Sequence, residues 1–303
     1  MLIDHVEQYL ALRRATGFKL TDPERVLRSF ARCAGERGED HVRAESARAW
    51  AAESRSQLER HRRLGTVVRF AEFLHAEDPL HEIPPRDLFR TRYVRPTPYI
   101  FSEEEIARLI ATAAKLPPVG SLRPPTFSTL FGLMAVTGLR RKEAIELRLG
   151  DFTGDGLHIR QTKFRKSRFV PLHSSTIAQV AGYLEARRLV SAETDHLFVS
   201  LRGRQFAGDT VLRTFHKVCE EAGIGRTPTG ALPRLHDLRH AFTVRALQRC
   251  LVSRDQVNRH MLALTTYLGH ARVESTYWYL ESTPQLLHDI ACACENFTTG
   301  GQT

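Results

Sequence analysis

A chain of 303 residues can bury two separate cores, and 42% hydrophobic beside 26% charged residues excludes a disordered tail or a membrane-embedded protein. Forty-four lysines and arginines against 34 aspartates and glutamates leave a formal net charge of +10. That excess suits a polyanionic partner, because counterions released from nucleic acid favour a cationic surface. No apolar run approaches a membrane span, and Asp4, His5 and Glu7 interrupt any amino-terminal signal segment. Cysteines at 33, 219, 250, 292 and 294 are odd in number and irregular in spacing, which argues against a disulfide framework and predicts a cytoplasmic setting. Cys292-x-Cys294 has no second pair to complete a metal site and reads as two small apolar residues of a helical tail.

In chain order, Leu2, Ile3, Val6, Tyr9 and Leu10 recur at helical spacing and predict a first amphipathic helix. Thr21-Asp22-Pro23-Glu24 reads as a capped helix start, with Val26, Leu27, Phe30 and Ala34 as its buried stripe. Trp50 marks an alanine-rich third helix, and Leu64, Val67, Val68, Ala71 and Leu74 a fourth that ends near Asp78-Pro79. Four helices in under a hundred residues predict a small helical domain over about residues 1–90.

The stretch from Ile83 to Pro98 holds four prolines and the arginines Arg86, Arg90, Arg92 and Arg95. It reads as an extended linker, centred on 91–98, whose arginines are candidates for contact with nucleic-acid phosphates. Both roles are compatible. A capping box, Ser102-x-x-Glu105, opens a second domain over 99–283, and the run Phe127 to Val136 is apolar nearly all round, as a central helix should be. Asp155-Gly156 is a turn before a strand at Leu157 to Gln161, and Phe169 to Leu172 reads as its return strand. Helices follow at about 174–188, 210–222, 236–250, 255–268 and 274–280. Leu286, Leu287 and Ile290 give the tail, 284–303, a helical pattern. The predicted class is mainly α with a small β-sheet.

Three strings carry chemistry: Thr137-Gly138-Leu139-Arg140-Arg141-Lys142-Glu143, His236-Asp237-Leu238-Arg239-His240, and Leu268-Gly269-His270 followed nine residues later by Tyr279. Between the first two, Lys163 begins K-x-x-K-x-R-x-V-P-L. Their joint occurrence, in this order, resembles the tyrosine recombinase (phage integrase) family over roughly Ser102 to Tyr279. The resemblance implies a helical core-binding domain joined to an α+β catalytic domain as a C-shaped DNA clamp. It also implies strand cleavage through a covalent 3′-phosphotyrosine, with no metal, ATP or other cofactor. The implied partners are double-stranded DNA carrying specific recombination sites and a tetramer of this chain on two duplexes, with or without partner recombinases. The implied setting is the bacterial nucleoid. In such proteins the tail often docks on a neighbouring subunit, while packing on its own domain is the plainer reading.

The residue types suit that chemistry. Attack on a phosphodiester adds charge to oxygens that are already anionic, and Arg140 and Arg239 can clamp them with permanently charged donors. Tyr279 needs help as a nucleophile, since a phenol has a pKa near 10, and His236 is the candidate proton acceptor. Tyr277 is the rival, but two residues apart on a helix means nearly opposite faces. Lys163 is the candidate general acid for the leaving 5′-oxygen, with Lys166 as substitute. His270 is the candidate hydrogen-bond donor to a non-bridging oxygen. Glu143 would orient the basic cluster, and His240 would pack beside it. Arg165, Lys166 and Arg168 are further candidate DNA contacts. His236 and His240 with Asp237 between them imitate a zinc helix, but a third ligand is lacking and Arg239 would sit beside the metal, so no metal is expected. Two alternatives stay open: a type IB topoisomerase-like nicking and closing enzyme, and a non-catalytic DNA-binding member of the family.

Overall fold

A computed structural model of the chain describes residues 1–89, 97–160, 167–227, 230–248 and 254–269. The chain divides into two compact units, Met1–Pro96 and Thr97–Thr303. In the first, helices α1 (Leu2–Ala15), α2 (Thr21–Glu36), α3 (Ala44–Ala52) and α4 (Gln57–His75) surround one core. Leu2, Val6 and Leu10 of α1 meet Val26, Leu27 and Phe30 of α2, Trp50 of α3, and Leu64, Val67 and Phe70 of α4. Phe30 and Trp50 pack with ring centroids 5.5 Å apart, and Arg63 lies over Trp50 at 5.1 Å. Burying each such large side chain contributes about 1.5–3 kcal/mol, so this unit has a core of its own.

The start of α2 differs from the expected capping box. Leu20, not a hydroxyl residue, occupies the cap in a left-handed conformation (φ 47°), and no side chain caps the helix. Thr21 is already helical, which leaves Pro23 within the first turn, where its missing N–H costs nothing.

The second unit is built around α6 (Arg123–Thr137), which packs on α5 (Glu103–Ala113), α8 (Ser174–Arg188) and α10 (Asp237–Gln248). Its Phe127, Leu130, Phe131, Leu133 and Met134 are all buried, in keeping with its apolar circumference. The capping box at α5 forms as expected: Ser102 Oγ accepts from the Glu105 N–H at 3.1 Å, and Glu105 Oε2 accepts from the Ser102 N–H at 2.9 Å. Strands β1 (Gly156–Ile159) and β2 (Arg168–Pro171) pair antiparallel, Leu157 opposite Val170, as the only sheet among the described residues. Helix α9 spans Gly208–Glu221 and α11 spans Arg254–Leu268. Two elements went unpredicted: the one-and-a-half-turn α7 (Arg141–Glu146) and a 3-10 turn at Leu149–Asp151. Both are too short for a periodic signal. The expected helix at 274–280 and the tail lie outside the described residues. Among the described residues, no helix is long and apolar enough to cross a membrane.

The first unit also holds a histidine cluster around the fully buried His81. His81 Nδ1 accepts from the Val42 N–H at 3.1 Å, His75 Nδ1 bonds the His81 carbonyl at 2.7 Å, and His41 Nε2 lies 3.2 Å from Asp78 Oδ2. The ligand atoms of His41, Asp78 and His81 are close enough for one metal ion. His81 does not fit that role, because a ring whose Nδ1 accepts an N–H must carry its proton on Nε2, the atom facing Asp78. It is a neutral structural histidine.

Burial pushes the His81 imidazole below the usual histidine range, and His41 and His5 push the same way. A lowered folded-state pKa means that the unfolded chain takes up the proton first. The stability this group provides is therefore complete above about pH 6.5 and is lost as pH falls below it. Melting temperature should drop between about pH 7.5 and about pH 5.5, and His81→Asn, which keeps an acceptor for Val42, should shrink that drop. An identical drop in wild type and His81→Asn would place the pH sensitivity elsewhere.

Candidate phosphate-binding active site

The site begins where α6 ends. Helix α6 runs into buried Leu139, and Gly138 makes the turn possible by adopting a left-handed conformation (φ 62°) while its N–H caps the Met134 carbonyl at 3.0 Å. A β-carbon on Gly138 would lie 2.7 Å from Phe242 Cδ1, so the position is closed to side chains twice over. The turn leaves the Gly138 carbonyl as an orphan acceptor at a helix C-terminus.

Arg239 fills that vacancy. It lies in the first turn of α10, 1% exposed, and its Nη1 donates to the Gly138 carbonyl at 2.6 Å. Its Nη2 donates at 2.7 Å to the carbonyl of Leu268, the last residue of α11. The end of α11 is held there by packing: Met261, Leu264 and Leu268 meet Val244 and Leu247 of α10, and Tyr267 stacks on Phe242. A buried guanidinium is costly unless its donors are met, and here it sits at the negative ends of two helix dipoles.

Arg140, the residue before α7, uses the next carbonyl along: its Nη2 donates to Gly269 at 3.2 Å. Consecutive residues are only about 3.8 Å apart at Cα. Anchoring the two arginines on Leu268 and Gly269 therefore brings them from opposite halves of the unit to one place. Arg140 also pairs with Glu143, Nη1 to Oε1 at 2.7 Å, and its backbone N–H donates to Glu143 Oε2 at 3.0 Å. Arg140 keeps 27% of its side chain exposed, whereas Glu143 keeps 7%. Burial pushes the Glu143 carboxyl up, but Arg168 and Arg140 more than offset it and hold it down at about 2. The site is thus a fixed, charged cluster at neutral pH.

His236 is exposed at the start of α10, and its carbonyl accepts from the Arg239 N–H at 3.1 Å. Buried His240 supports it edge-on, with ring centroids 4.6 Å apart. Asp237, fully buried, accepts from the Arg234 backbone N–H at 2.7 Å and from Arg234 Nη2 at 2.8 Å. Its carboxylate is thereby committed to fixing the entry into α10, which counts against the zinc-helix reading.

The structure brings together Arg140, Glu143, Arg239, His236 and His240 of the predicted residues. Arg168, expected as a DNA contact, is instead turned inward and paired with Glu143. Arg86, also expected there, pairs with Glu72 in the first unit. Arg90, Arg92, Arg95, Lys163, Arg165, Lys166, His270 and Tyr279 lie outside the described residues. Sequence reasoning missed the carbonyls of Gly138, Leu268 and Gly269 as the anchors, since every residue carries such a group whatever its side chain. It also missed Tyr267, whose phenol is pushed up to about 12 by burial even though Arg168 and Arg239 pull the other way.

The sequence model of the phage integrase family matches residues 100–285. A relative from Sinorhizobium fredii named as an integrase/recombinase, y4rB, is 39% identical over 294 residues, 94% of either chain. The tyrosine recombinase XerD of Rhizobium meliloti is 27% identical across 76% of this chain and 71% of its own length. Among solved structures, a lambda integrase tetramer bound to a Holliday junction superposes with a TM-score of 0.64 at 16% identity, covering 92% of this chain and 76% of that one.

Gly138→Ala should cost at least about 1–2 kcal/mol from the left-handed conformation alone. Its methyl would also displace Phe242 and loosen Arg239. A fall in the denaturant midpoint checks this; an unchanged midpoint would mean that the turn does not need glycine.

Proposed function

The chain belongs to the phage integrase family and is a tyrosine site-specific recombinase; from that premise we propose that Tyr279 cuts DNA to form a 3′-phosphotyrosine, without metal or ATP. The observation that carries the reading is the pairing of Arg140 and Arg239 on successive carbonyls at the end of α11. Two permanently charged forks so placed suit the non-bridging oxygens of one phosphate, where negative charge grows during attack.

In the proposed reaction the Tyr279 phenol oxygen bonds to phosphorus and the P–O5′ bond breaks. His236, exposed at the start of α10, takes the phenol proton, and Lys163 gives a proton to the leaving 5′-oxygen, with Lys166 as the substitute. His270 donates to a non-bridging oxygen, and Glu143 orients Arg140. A 5′-hydroxyl from the partner strand then attacks the phosphotyrosine and restores the diester. The bond energy is kept in the covalent intermediate, so no nucleotide is needed.

Tyr279 is preferred to Tyr267 for a physical reason. A nucleophilic phenol must lose its proton near neutral pH, and burial raises that of Tyr267 to about 12. The partners are double-stranded DNA and further copies of this chain, four on two duplexes; the relatives caught on DNA support that assembly. Residues 1–90 serve as the core-binding domain and 99–283 as the catalytic domain. Arg90, Arg92 and Arg95 of the linker, with Arg165 and Lys166, contact phosphates, and Arg86 joins them on release from Glu72. The tail from 284 exchanges between subunits. The protein acts in the cytoplasm, on nucleoid DNA.

A nicked duplex, selected by the wild-type chain from a randomised pool, serves as the probe. Tyr279→Phe should abolish the covalent adduct on a denaturing gel and leave binding unchanged, while Tyr277→Phe and Tyr267→Phe keep it. An adduct that survives in Tyr279→Phe and vanishes in either of the others moves the nucleophile there.

Arg140→Ala and Arg239→Ala should each slow cleavage by at least about a hundredfold, and wild-type cleavage should proceed in excess EDTA. Near-normal rates in both variants would remove the phosphate clamp. Loss of wild-type cleavage in EDTA, restored by zinc or magnesium, would remove the metal-free mechanism.

A further inference from the structure

Arg168 opens β2 with its side chain only 10% exposed. Its guanidinium faces Glu143 two-pronged, Nη2 to Oε2 at 2.8 Å and Nη1 to Oε1 at 3.2 Å. The same guanidinium packs against the turn that ends α11. A β-carbon on Gly269 would lie 2.9 Å from Arg168 Nη1 and 3.3 Å from Cζ, so the absence of a side chain there makes room for Arg168. Gly269 in turn supplies the carbonyl that takes Arg140. One buried guanidinium thus ties together β2, α7 and the end of α11.

Charge gives this arrangement a consequence. Glu143 and Arg140 alone would form a neutral pair, with the arginine's charge spent on its own carboxylate. Adding Arg168 divides one negative charge between two guanidiniums, and the cluster keeps a net positive unit. A phosphate approaching Arg140 then meets a cation held in place, not a closed ion pair.

We infer that Arg168 is a positioning residue of the active site and not a DNA contact: braced against the Gly269 turn, it holds Glu143 so that Arg140 is aimed and the cluster stays cationic. The inference rests on the reading of Arg140 as a phosphate clamp. A rival reading has Arg168 touching DNA through Nε, which is buried and has no acceptor among the described residues.

The test uses the full chain on the selected nicked duplex and compares Arg168→Met, Arg168→Lys, Arg168→Met with Glu143→Gln, and Arg140→Ala. Two readouts are taken: cleavage rate against pH, and the salt dependence of binding. Arg168→Met should slow cleavage by about ten- to a hundredfold, the scale of a misaimed catalytic group. Without Arg168, the upward push of burial on Glu143 is less opposed. Its pKa rises from about 2, and protonation in mild acid releases Arg140. The size of the deficit should therefore depend on pH, and Glu143→Gln in the same chain should remove that dependence. Binding should keep its salt slope, because no phosphate contact is lost.

A salt slope reduced by about one in Arg168→Met, with a wild-type pH profile, would overturn the inference and make Arg168 a phosphate contact. Wild-type cleavage at every pH would overturn it too. Should Arg168→Met fail to fold, Arg168→Lys carries the same readings, since a point charge cannot span both carboxylate oxygens. Near-normal cleavage by Arg140→Ala would instead remove the clamp on which the inference stands, a separate failure.

Discussion

The constraint on which the second unit depends is the meeting of two helix C-termini around a guanidinium. Helices α6 and α11 both end in carbonyls with no partner in their own helices. Arg239 satisfies one from each, and Arg140 takes the carbonyl that follows. Partial negative charge at such ends is worth about 0.3–1 kcal/mol to a nearby cation, and up to about 2 when partly buried. The interaction works in both directions. It fixes the arginines without neutralising them, and it fixes the two helix ends without an added cap.

The surrounding residues follow from that arrangement. Gly138 must turn left-handed to present its carbonyl, and Gly269, left-handed as well (φ 64°), leaves room for the Arg168 guanidinium. Glu143 supplies the one negative charge that two neighbouring arginines need, and its buried carboxyl stays ionised because it serves both. The core packing of α10 on α11 through Val244, Leu247, Met261 and Leu264 is what keeps Leu268 within reach of Arg239. Packing thus sets the electrostatics, and the electrostatics set the chemistry that the site can perform.

Much of this was legible in the amino-acid sequence. The helices announced themselves by apolar periodicity, the α5 capping box by its Ser102 and Glu105, and the central helix α6 by its all-round hydrophobicity. Arg140 and Arg239, about a hundred residues apart, could be paired only through the resemblance of the strings that hold them. What escaped was of two kinds. Helix α7 and the 3-10 turn are shorter than any period that could reveal them. Main-chain carbonyls carry no letter, so the anchors at Gly138 and Leu268 became visible only in three dimensions. Arg168 shows the same limit for a side chain: in a run of lysines and arginines it reads as one more surface charge, yet the pleat of β2 turns it inward onto Glu143.

On this reading Arg140 and Arg239 grip one phosphate while still anchored on the ends of α6 and α11. A crystal structure of the Tyr279→Phe chain on its selected duplex, with the scissile bond uncut, tests it most directly. Both guanidiniums should lie within about 3 Å of non-bridging oxygens on the same phosphate, with the Gly138 and Leu268 carbonyls still bonded to Arg239. Finding the two arginines on different phosphates, or Arg239 buried with no phosphate beside it, would contradict it.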